Sequence, residues 1–392
     1  MPPGFTAAAG DARVIDTDAL IAGELALASV SRAVCADVLD RVADPDAVLA
    51  ALHRVMAPDG VVSFSVPSVE TRAARRAGQA WRGFSGGAHV FYGPDTLQSR
   101  LVRAGFRDPV LYGEGAGDAG AVQPPHGDRV TALCRRGAII ERHRLSVIVP
   151  AFNEGRTFVE LMDRVLAKSV PDLDIEIIII ESNSSDGTRE LAQGYARHPR
   201  VQLVLQDTPR GKGNAVRAGL ARASGDIIVF QDADLEYDVD DYDDLMRPIV
   251  AFQRNFVMGS RHERKGSAWK MREFTGAPVL SQVFNLGHVV FLGLLNGLYR
   301  QSLADPFTMY KVFRRDCLAG LSFECNRFDF DFEIVIKLLR KGYQPLEIPV
   351  NYVSRGIEEG KKVTMIRDPL TWLRALARYR RSDLYASGDA SD

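Results

Sequence analysis

The sequence predicts an α/β protein built on a mainly parallel sheet, preceded by a smaller α/β fragment. Short apolar runs without a polar break recur after residue 145 and alternate with helical patterns, which is typical of strands buried on both faces of a parallel sheet. Each of these runs ends abruptly in polar residues. The 392 residues are enough for two domains.

Composition excludes several classes of protein. A net charge of -1, with 46% hydrophobic and 25% charged residues, is that of a globular chain and not of a basic nucleic-acid binder. The four cysteines form no CxxC pair, so we expect reduced structural thiols and a cytoplasmic protein. The amino terminus does not read as a secretory signal, and the apolar run 286–299 is interrupted by His288 and Asn296, so no transmembrane helix is predicted.

The chain divides into four predicted parts. Residues 1–112, within a compositional unit that extends to about 135, read as the α/β fragment, with a helix over 47–56, a turn at 58–60 and a strand over 61–66. The remaining parts are a linker with a connecting strand at 113–143, a main domain at 144–365, and a carboxyl-terminal helix and tail at 366–392.

The main domain opens with four strands and three helices in alternation. The predicted strands are 145–150, 175–180, 201–205 and 227–230, and the helix after the first has apolar residues at 158, 161, 162, 165 and 166. Ser184 or Ser185 is expected to cap the second helix. Right-handed crossovers in a parallel sheet place the polar turns along one carboxyl edge.

The stretch GDIIVFQDADLEY at 225–237 organises this edge. Asp232 and Asp234 directly follow a buried strand, where open α/β sheets bind ligands. Because adjacent carboxylates repel unless a cation lies between them, we expect the pair to hold Mg²⁺ or Mn²⁺. A solvated acidic loop is the alternative for this motif taken alone.

The other turns offer what a nucleotide needs. Asn153 and Glu154 could bond ribose hydroxyls, ESNSSDGT at 181–188 supplies amides and short polar side chains, and Lys212 lies in a GKG turn suited to a phosphate. Each turn alone is more simply a helix start, a cap or a flexible turn; their order on successive strands favours a nucleotide site.

Four acids further along are candidates for the acceptor side. Asp305 precedes a proline turn, and Asp329, Asp331 and Glu333 lie among three phenylalanines whose apolar surroundings would raise a carboxyl pKa. One of the four could be a catalytic base, and Asp331, Glu333 and Asp305 are the preferred candidates. Helix capping or a pair with Lys337 is the alternative.

The order of these motifs resembles a family 2 glycosyltransferase with the GT-A fold, and within it the dolichol-phosphate mannose synthase-like branch. The motifs are PAFNE at 150–154, ESNSSDGT at 181–188, GKGNAVRAGL at 211–220, DADLEY at 232–237, GSR at 259–261, ADPFTMYKVFRR at 304–315 and FDFDFE at 328–333.

That resemblance implies the roles of the site residues. Asp232 and Asp234 would hold the metal and nucleotide sugar, Glu154 the nucleoside, and Arg261 the diphosphate or acceptor. Many relatives have two aspartates where this chain has Glu181 and Ser182, so the identity of the nucleotide base is left open. The full set expected to bind the nucleotide sugar is Pro150, Ala151, Asn153, Glu154, Glu181, Ser182, Lys212, Asp232, Ala233, Asp234 and Arg261.

The first unit resembles the second half of a class I S-adenosylmethionine-dependent methyltransferase, carried by VLDRVADPDAVLAALHRVMAPDGVVSFSVPS and by 89–106. Only about 35 residues precede the resemblance, and they contain no GxGxG cofactor loop. We therefore expect a non-catalytic remnant used for packing, with His53 and His89 structural. A chain beginning near Arg136 is expected to keep its activity if it stays soluble.

The last segments carry positive charge. Lys361, Lys362 and Arg367 could meet phosphates in a loop that closes over substrate, with a solvated charge run as the alternative. The helix in 368–385 is basic and amphipathic, so it either packs on its own domain or touches an anionic membrane. Residues 386–392 are expected to be disordered.

The function predicted from these features is metal-dependent, inverting transfer of a sugar from a nucleoside-diphosphate sugar to a polyprenyl phosphate or a cell-envelope glycan. The expected location is the cytoplasm or the inner face of the cell membrane, without a nucleic-acid partner. Two alternatives are a methyltransferase and a non-catalytic scaffold on the same fold.

Overall fold

The computed structural model describes residues 15–70, 74, 90–114, 129–261, 278–354 and 367–385, and all structural statements refer to these. They form two α/β units, each with its own sheet. His89, the charged loop with Lys361 and Lys362, and the tail 386–392 lie outside the described residues, as does most of the predicted linker.

The first unit is a four-stranded sheet in the order β1-β2-β4-β3, in which only the β1–β2 pair is parallel. Its strands are β1 (Val30–Ala36), β2 (Met56–Pro67), β3 (Phe106–Glu114) and β4 (Arg129–Arg136), and its helices are α1 (Thr17–Ala22), α2 (Pro45–Val55) and α3 (Pro94–Arg103).

Two predicted details of this unit are corrected. Residues 58–60 do not form a separate turn but an irregular start of β2, where Asp59 has a φ of 57° and the register with β1 shifts. The strand predicted to connect the units is β4, and it pairs with β2 and β3, so the first sheet extends to Arg136.

The second unit is a seven-stranded sheet in the order β11-β9-β10-β8-β5-β6-β7. Its strands are β5 (His143–Ala151), β6 (Leu173–Glu181), β7 (Val201–Leu205), β8 (Ile227–Phe230), β9 (Phe256–Ser260), β10 (Lys311–Arg314) and β11 (Leu346–Pro349). Its helices are α4 (Phe158–Ala167), α5 (Thr188–Tyr195), α6 (Lys212–Leu220), α7 (Tyr242–Val250), α8 (Pro278–Tyr299), α9 (Phe330–Arg340) and α10 (Arg367–Arg381).

The predicted alternation of strands and helices is confirmed from β5 to β8. All pairs among these strands are parallel, and residues 177–180 of β6 are fully buried, as the unbroken isoleucine run predicts. Strand β10 is antiparallel to both β8 and β9. Because of this reversal, the first residue of β10, Lys311, lies at the edge where its neighbours end.

Helix α5 begins differently from the prediction. Its N-cap is Gly187, and the Asp186 carboxylate accepts a hydrogen bond from the Thr188 N–H. Ser184 and Ser185 instead bond Asn153, whose N–H donates to the Ser184 hydroxyl and whose side-chain oxygen accepts the Ser185 N–H. The serines therefore join two turns of the edge.

Buried polar contacts join the two units. The Asn255 side-chain amide, just before β9, donates to the Asp95 carboxylate at 2.7 Å and contacts the Ser99 hydroxyl at 2.9 Å, both on α3. The Tyr343 hydroxyl donates to the Gln98 side chain, also on α3. All these residues are buried, so the first unit packs against the end of the second sheet opposite the carboxyl edge.

Helix α10 packs on its own domain. The Trp372 ring lies 5.4 Å from that of Phe307, and Leu376 and Tyr379 are buried, while Arg374 and Arg378 are exposed. Among the described residues, we find no helix with the length and apolar character needed to cross a membrane.

Candidate functional site

Three parallel strands deliver polar residues to one edge, and the segments around β9 and β10 add charged ones. Asn153 and Glu154 follow β5, Glu181 ends β6, and Asp232 follows β8. The described residues hold no group of three or more His, Cys, Asp or Glu side chains arranged for a metal. Asp232 and Asp234 are the two carboxylates that the sequence predicts as metal ligands, and two carboxylates with ligand oxygens are what Mg²⁺ usually takes.

Lys212 and Asp232 form an ion pair at the centre of the edge. The ammonium lies 2.7 Å from one carboxylate oxygen and 2.8 Å from the other. Burial acts to lower the Lys212 pKa, but the nearby carboxylates of Asp232, Asp331 and Asp234 raise it above its usual value. The lysine is thus held as a cation among three acids.

Asp234 has a backbone partner in the same turn. Its carboxylate accepts the Glu236 N–H at 3.1 Å, and Leu235 between them has a φ of 57°. The Glu236 carboxylate accepts the Tyr352 hydroxyl at 2.7 Å. The acidic loop is therefore a fixed turn and not a loose solvated segment.

Arg261 and Asp305 form a second, buried ion pair. Glu347 on β11 accepts the N–H groups of Ala304 and Asp305, each at 2.7 Å, and so fixes this loop. Asp305 raises the pKa of Arg261 well above its usual value against the opposing effect of burial. Both predicted site residues lie at the edge, but they pair with each other.

Lys311 is a site residue that the sequence reasoning missed. Its ammonium is fully buried 3.6 Å from the Asp331 carboxylate. Burial lowers its pKa, as do the nearby cations Lys212 and Arg261, while Asp331 and Asp305 oppose this. A lone lysine at the start of the apolar run KVF was the signal that could have revealed it.

The three candidate bases have different surroundings. Glu333 is fully buried, pairs with Lys337 at 2.7 Å and accepts the N–H groups of Glu324 and Cys325, so its geometry is that of a structural anchor. Asp329 is the N-cap of α9, which begins at Phe330, and helical geometry turns Asp331 away from Glu333. Of the preferred acids, only Asp331 is both partly exposed and close to Lys311 and Lys212.

The residues expected to contact the base of the nucleotide already have hydrogen-bond partners within the protein. Glu181 is fully buried, accepts the Ser184 N–H at 2.6 Å and lies 3.3 Å from the Arg189 guanidinium. The Ser182 hydroxyl donates to Gln206, which in turn donates to Asn214. Pro150, Ala151 and Ala233 contribute backbone, with the Ala233 carbonyl accepting the Thr157 hydroxyl at 2.7 Å.

His53, in the first unit, makes its contacts with residues near β3 and β4. The His53 ring bonds the Gly137 carbonyl at 2.8 Å and meets Phe106 edge-on. These are packing contacts, and a structural role for His53 stays a prediction.

Two family models match the chain. Residues 146–319 match the model described as "Glycosyl transferase family 2", and residues 28–109 match one described as "Methyltransferase domain". The two resemblances predicted from the motifs are thereby confirmed.

Three relatives illustrate the similarity. A "Dolichyl-phosphate beta-glucosyltransferase" of Drosophila melanogaster is 30% identical over 56% of this chain and 69% of its own length. The "Dolichyl-phosphate beta-glucosyltransferase ALG5C" of Trichomonas vaginalis is 26% identical over 62% of this chain and 74% of its own. The "Dolichol-phosphate mannosyltransferase" of Pyrococcus furiosus is 26% identical over 56% of this chain and 59% of its own.

Among solved structures, glucosyl-3-phosphoglycerate synthase from Mycobacterium tuberculosis, in complex with Mn²⁺, UDP-glucose and phosphoglyceric acid, matches with a TM-score of 0.43 and 21% identity. The match covers 60% of this chain and 80% of that chain. Mannosyl-3-phosphoglycerate synthase from Rubrobacter xylanophilus matches with a TM-score of 0.43 and 19% identity, over 60% and 73% of the two chains.

Proposed function

The chain belongs to glycosyl transferase family 2, and from that membership we propose that it is a metal-dependent enzyme that transfers a sugar, with inversion, from a nucleoside-diphosphate sugar to an acceptor. The observation that carries the proposal is the convergence of Asp232, Asp234, Lys212 and Asp331 at one sheet edge. Such an edge is where open α/β sheets bind nucleotides.

Asp232 and Asp234 are suited to Mg²⁺ or Mn²⁺. Two carboxylates with the diphosphate of a donor satisfy the preference of these cations for oxygen ligands. The bound metal would offset the negative charge that grows on the leaving diphosphate. Lys212 would share that task, because its ammonium already lies beside Asp232.

The acceptor that fits this edge is a polyprenyl phosphate. Glu333 and Asp305 are held in buried ion pairs, which leaves Asp331 as the one preferred acid with access to the edge. A phosphate with a second pKa of about 6 is largely ionised at neutral pH and can attack without a base. The names of the relatives agree with this class of acceptor.

A lipid-linked acceptor requires access to a membrane surface. Helix α8 has no charged residue from Pro278 to Tyr299 and exposes Val290 and Leu294, while the neighbouring α10 exposes Leu373 beside Arg374. Apolar residues flanked by arginines suit the interface of an anionic membrane. We therefore place the enzyme peripherally at the inner face of the cell membrane.

The first unit is proposed to be a packing element without methyltransferase activity. Its helix α3 supports the segment before β9, because Asp95 and Ser99 on this helix bond the side chain of Asn255.

A thermal-shift screen tests the donor assignment. The full chain is heated with UDP, GDP, CDP or ADP, each with and without Mn²⁺. A nucleotide present at about 100 times its dissociation constant stabilises the protein by about 2.7 kcal/mol. Stabilisation by one of them that requires the metal is expected. If none of the four stabilises the protein under either condition, the proposed function is wrong.

The acceptor is tested by transfer from the matching labelled nucleotide sugar. Short-chain polyprenyl phosphate is compared with the corresponding polyprenol, which has the same chain and a hydroxyl in place of the phosphate. We expect product only with the phosphate. Equal transfer to the alcohol would instead favour a hydroxyl acceptor such as a cell-envelope glycan.

A further inference from the structure

The Lys212 ammonium occupies the edge of the Asp232 carboxylate on which a cation would sit. It is 2.7 Å from one oxygen and 2.8 Å from the other, so it contacts both at once. A lysine ammonium is a compact, strongly hydrated point charge, as is a small divalent cation. The two cations compete for the same carboxylate, and their mutual repulsion disfavours occupancy of the site by both.

The backbone that carries Lys212 is fixed. Gly211 has a φ of 102°, and a Cβ there would lie 2.4 Å from the Asn326 carbonyl oxygen. A Cβ at Gly213 would lie 2.6 Å from the Phe330 Cβ. The turn is therefore packed closely against 326–330, with no room for a side chain at either glycine. An exchange of cations at Asp232 needs only the flexible side chain of Lys212 to move.

We propose that Lys212 is the internal counter-ion of Asp232 in the nucleotide-free protein, and that it releases this carboxylate to the metal when a diphosphate binds. The inference rests on the proposed function, because it presupposes a metal and a diphosphate at this edge. Lys212 then has two successive partners, the carboxylate and the diphosphate.

A thermodynamic consequence follows from the exchange. The metal alone must displace Lys212 from the Asp232 carboxylate, so it binds weakly. A bound diphosphate pairs with the lysine instead, and the carboxylate becomes available to the metal. Since coupling between two ligands is reciprocal, the diphosphate raises metal affinity by the same factor as the metal raises diphosphate affinity. Such couplings typically amount to about 5- to 150-fold.

Removing the lysine should therefore shift the two affinities in opposite directions. Lys212→Met keeps the length of the side chain without its charge, so Mn²⁺ alone should bind at least about fivefold more tightly than to the wild type. The affinity for the nucleoside diphosphate at saturating Mn²⁺ should fall, because the diphosphate has lost a cationic partner. A merely structural lysine would not produce these opposite shifts.

The chain offers a matched control. Lys168 pairs with Asp243 at 2.6 Å, and its side chain is 12% exposed, compared with 17% for Lys212. Lys168→Met removes the same charge from a lysine–aspartate pair that joins the end of α4 to α7. Its Mn²⁺ affinity should match that of the wild type.

The experiment measures free Mn²⁺ by electron paramagnetic resonance, without nucleotide, for the wild type and the two variants. Lys212→Arg should have the Mn²⁺ affinity of the wild type. The increase in Mn²⁺ affinity caused by Lys212→Met should disappear when Asp232→Asn is added. Lys212→Gln replaces the methionine variant if that chain does not fold.

Two kinds of failure are distinguishable. Mn²⁺ affinity that is equal to or weaker than the wild-type value in both neutral variants, including no detectable binding by any protein, overturns the inference. Failure of the proposed function appears separately, as a wild-type chain that binds none of the four nucleoside diphosphates.

Discussion

Arg261 and Asp305 meet through two parallel contacts, Nε to Oδ2 and Nη2 to Oδ1, both of 2.7 Å. The Arg261 backbone N–H adds a third contact to Oδ2 at 3.1 Å. Both side chains are buried, and the Tyr352 ring lies 5.0 Å from the guanidinium carbon. The pair ties the end of β9 to the loop before β10, so the edge depends on it for its shape.

The first prediction concerns this pair. Asp305→Ala leaves a buried guanidinium without its carboxylate, and such changes typically cost about 3–5 kcal/mol. Urea unfolding should show a loss of that size. Asp244→Ala is the control, because its partner Arg247 is 73% exposed and Asp244 itself 47%, and exposed pairs contribute about 1 kcal/mol or less. Equal losses in the two variants would contradict the assigned role.

The second prediction concerns the metal site. Asp234→Asn should abolish metal-dependent nucleotide binding and reduce transfer to background, while the unfolding free energy changes by about 0.5 kcal/mol or less. Calorimetric titration with the nucleotide and Mn²⁺ measures the first effect. Asp240→Asn, a change on an exposed aspartate nearby, should leave binding intact. Unchanged turnover in Asp234→Asn would remove this residue from the metal site.

The third prediction separates the two acids of α9. Glu333→Gln weakens the buried pair with Lys337, so it should lower stability by about 1–3 kcal/mol without lowering the turnover of the folded protein. Asp331→Asn should keep donor affinity and reduce turnover by less than about 100-fold, because an ionised phosphate needs no base.

A larger loss in Asp331→Asn, of about 100- to 10,000-fold with donor affinity intact, would point to a hydroxyl acceptor instead. Donor affinity that falls in step with turnover would place Asp331 in the nucleotide site. Steady-state kinetics with the donor varied at fixed acceptor distinguishes these outcomes.

The fourth prediction concerns the contact between the units. Asp95→Ala leaves the buried Asn255 amide without its main acceptor, which typically costs about 1–3 kcal/mol, so the unfolding temperature should fall while nucleotide affinity per folded molecule stays constant. Asp46→Ala, which removes an exposed partner of Arg100 in the same unit, is the control. If the nucleotide affinity of the folded protein changes in Asp95→Ala, the first unit does more than support the sheet.

The fifth prediction is a pH dependence of stability. Burial acts to raise the Asp226 pKa, but hydrogen bonds from His143 and the Arg144 N–H lower it below its usual value. A lowered folded-state pKa stabilises the protein above the unfolded pKa of about 3.9 and loses this effect as pH falls through the folded value. The stability deficit of Asp226→Ala should therefore be largest near neutral pH and shrink below pH about 4. A deficit independent of pH would exclude this linkage.

The sequence predicted four strands of the second sheet, β5 to β8, because their apolar runs are unbroken, as in residues 177–180. It also predicted that the polar turns share one edge, since right-handed crossovers allow little else. The pairing of Arg261 with Asp305 was not predictable, because the two residues are 44 positions apart in the chain. Partners at that distance are set by how β9 and β10 approach each other.

Local spacing was more informative for α9. Lys337 follows Glu333 by four residues, and the pair proposed as an alternative is the one that the structure contains. Lys311 was missed because a lysine in a buried strand contradicts the usual pattern, and only the reversed direction of β10 brings it to the edge.

The contact between Asp95 and Asn255 has a consequence for inheritance. Helix α3 supports the segment that leads into β9, and Arg261 directly follows that strand. A destabilising substitution in the methyltransferase-like unit would therefore lower the amount of folded transferase. In a genetic screen, substitutions within residues 94–103 would therefore give the same phenotype as substitutions in the glycosyltransferase domain and fall into the same complementation group. Temperature sensitivity would distinguish them.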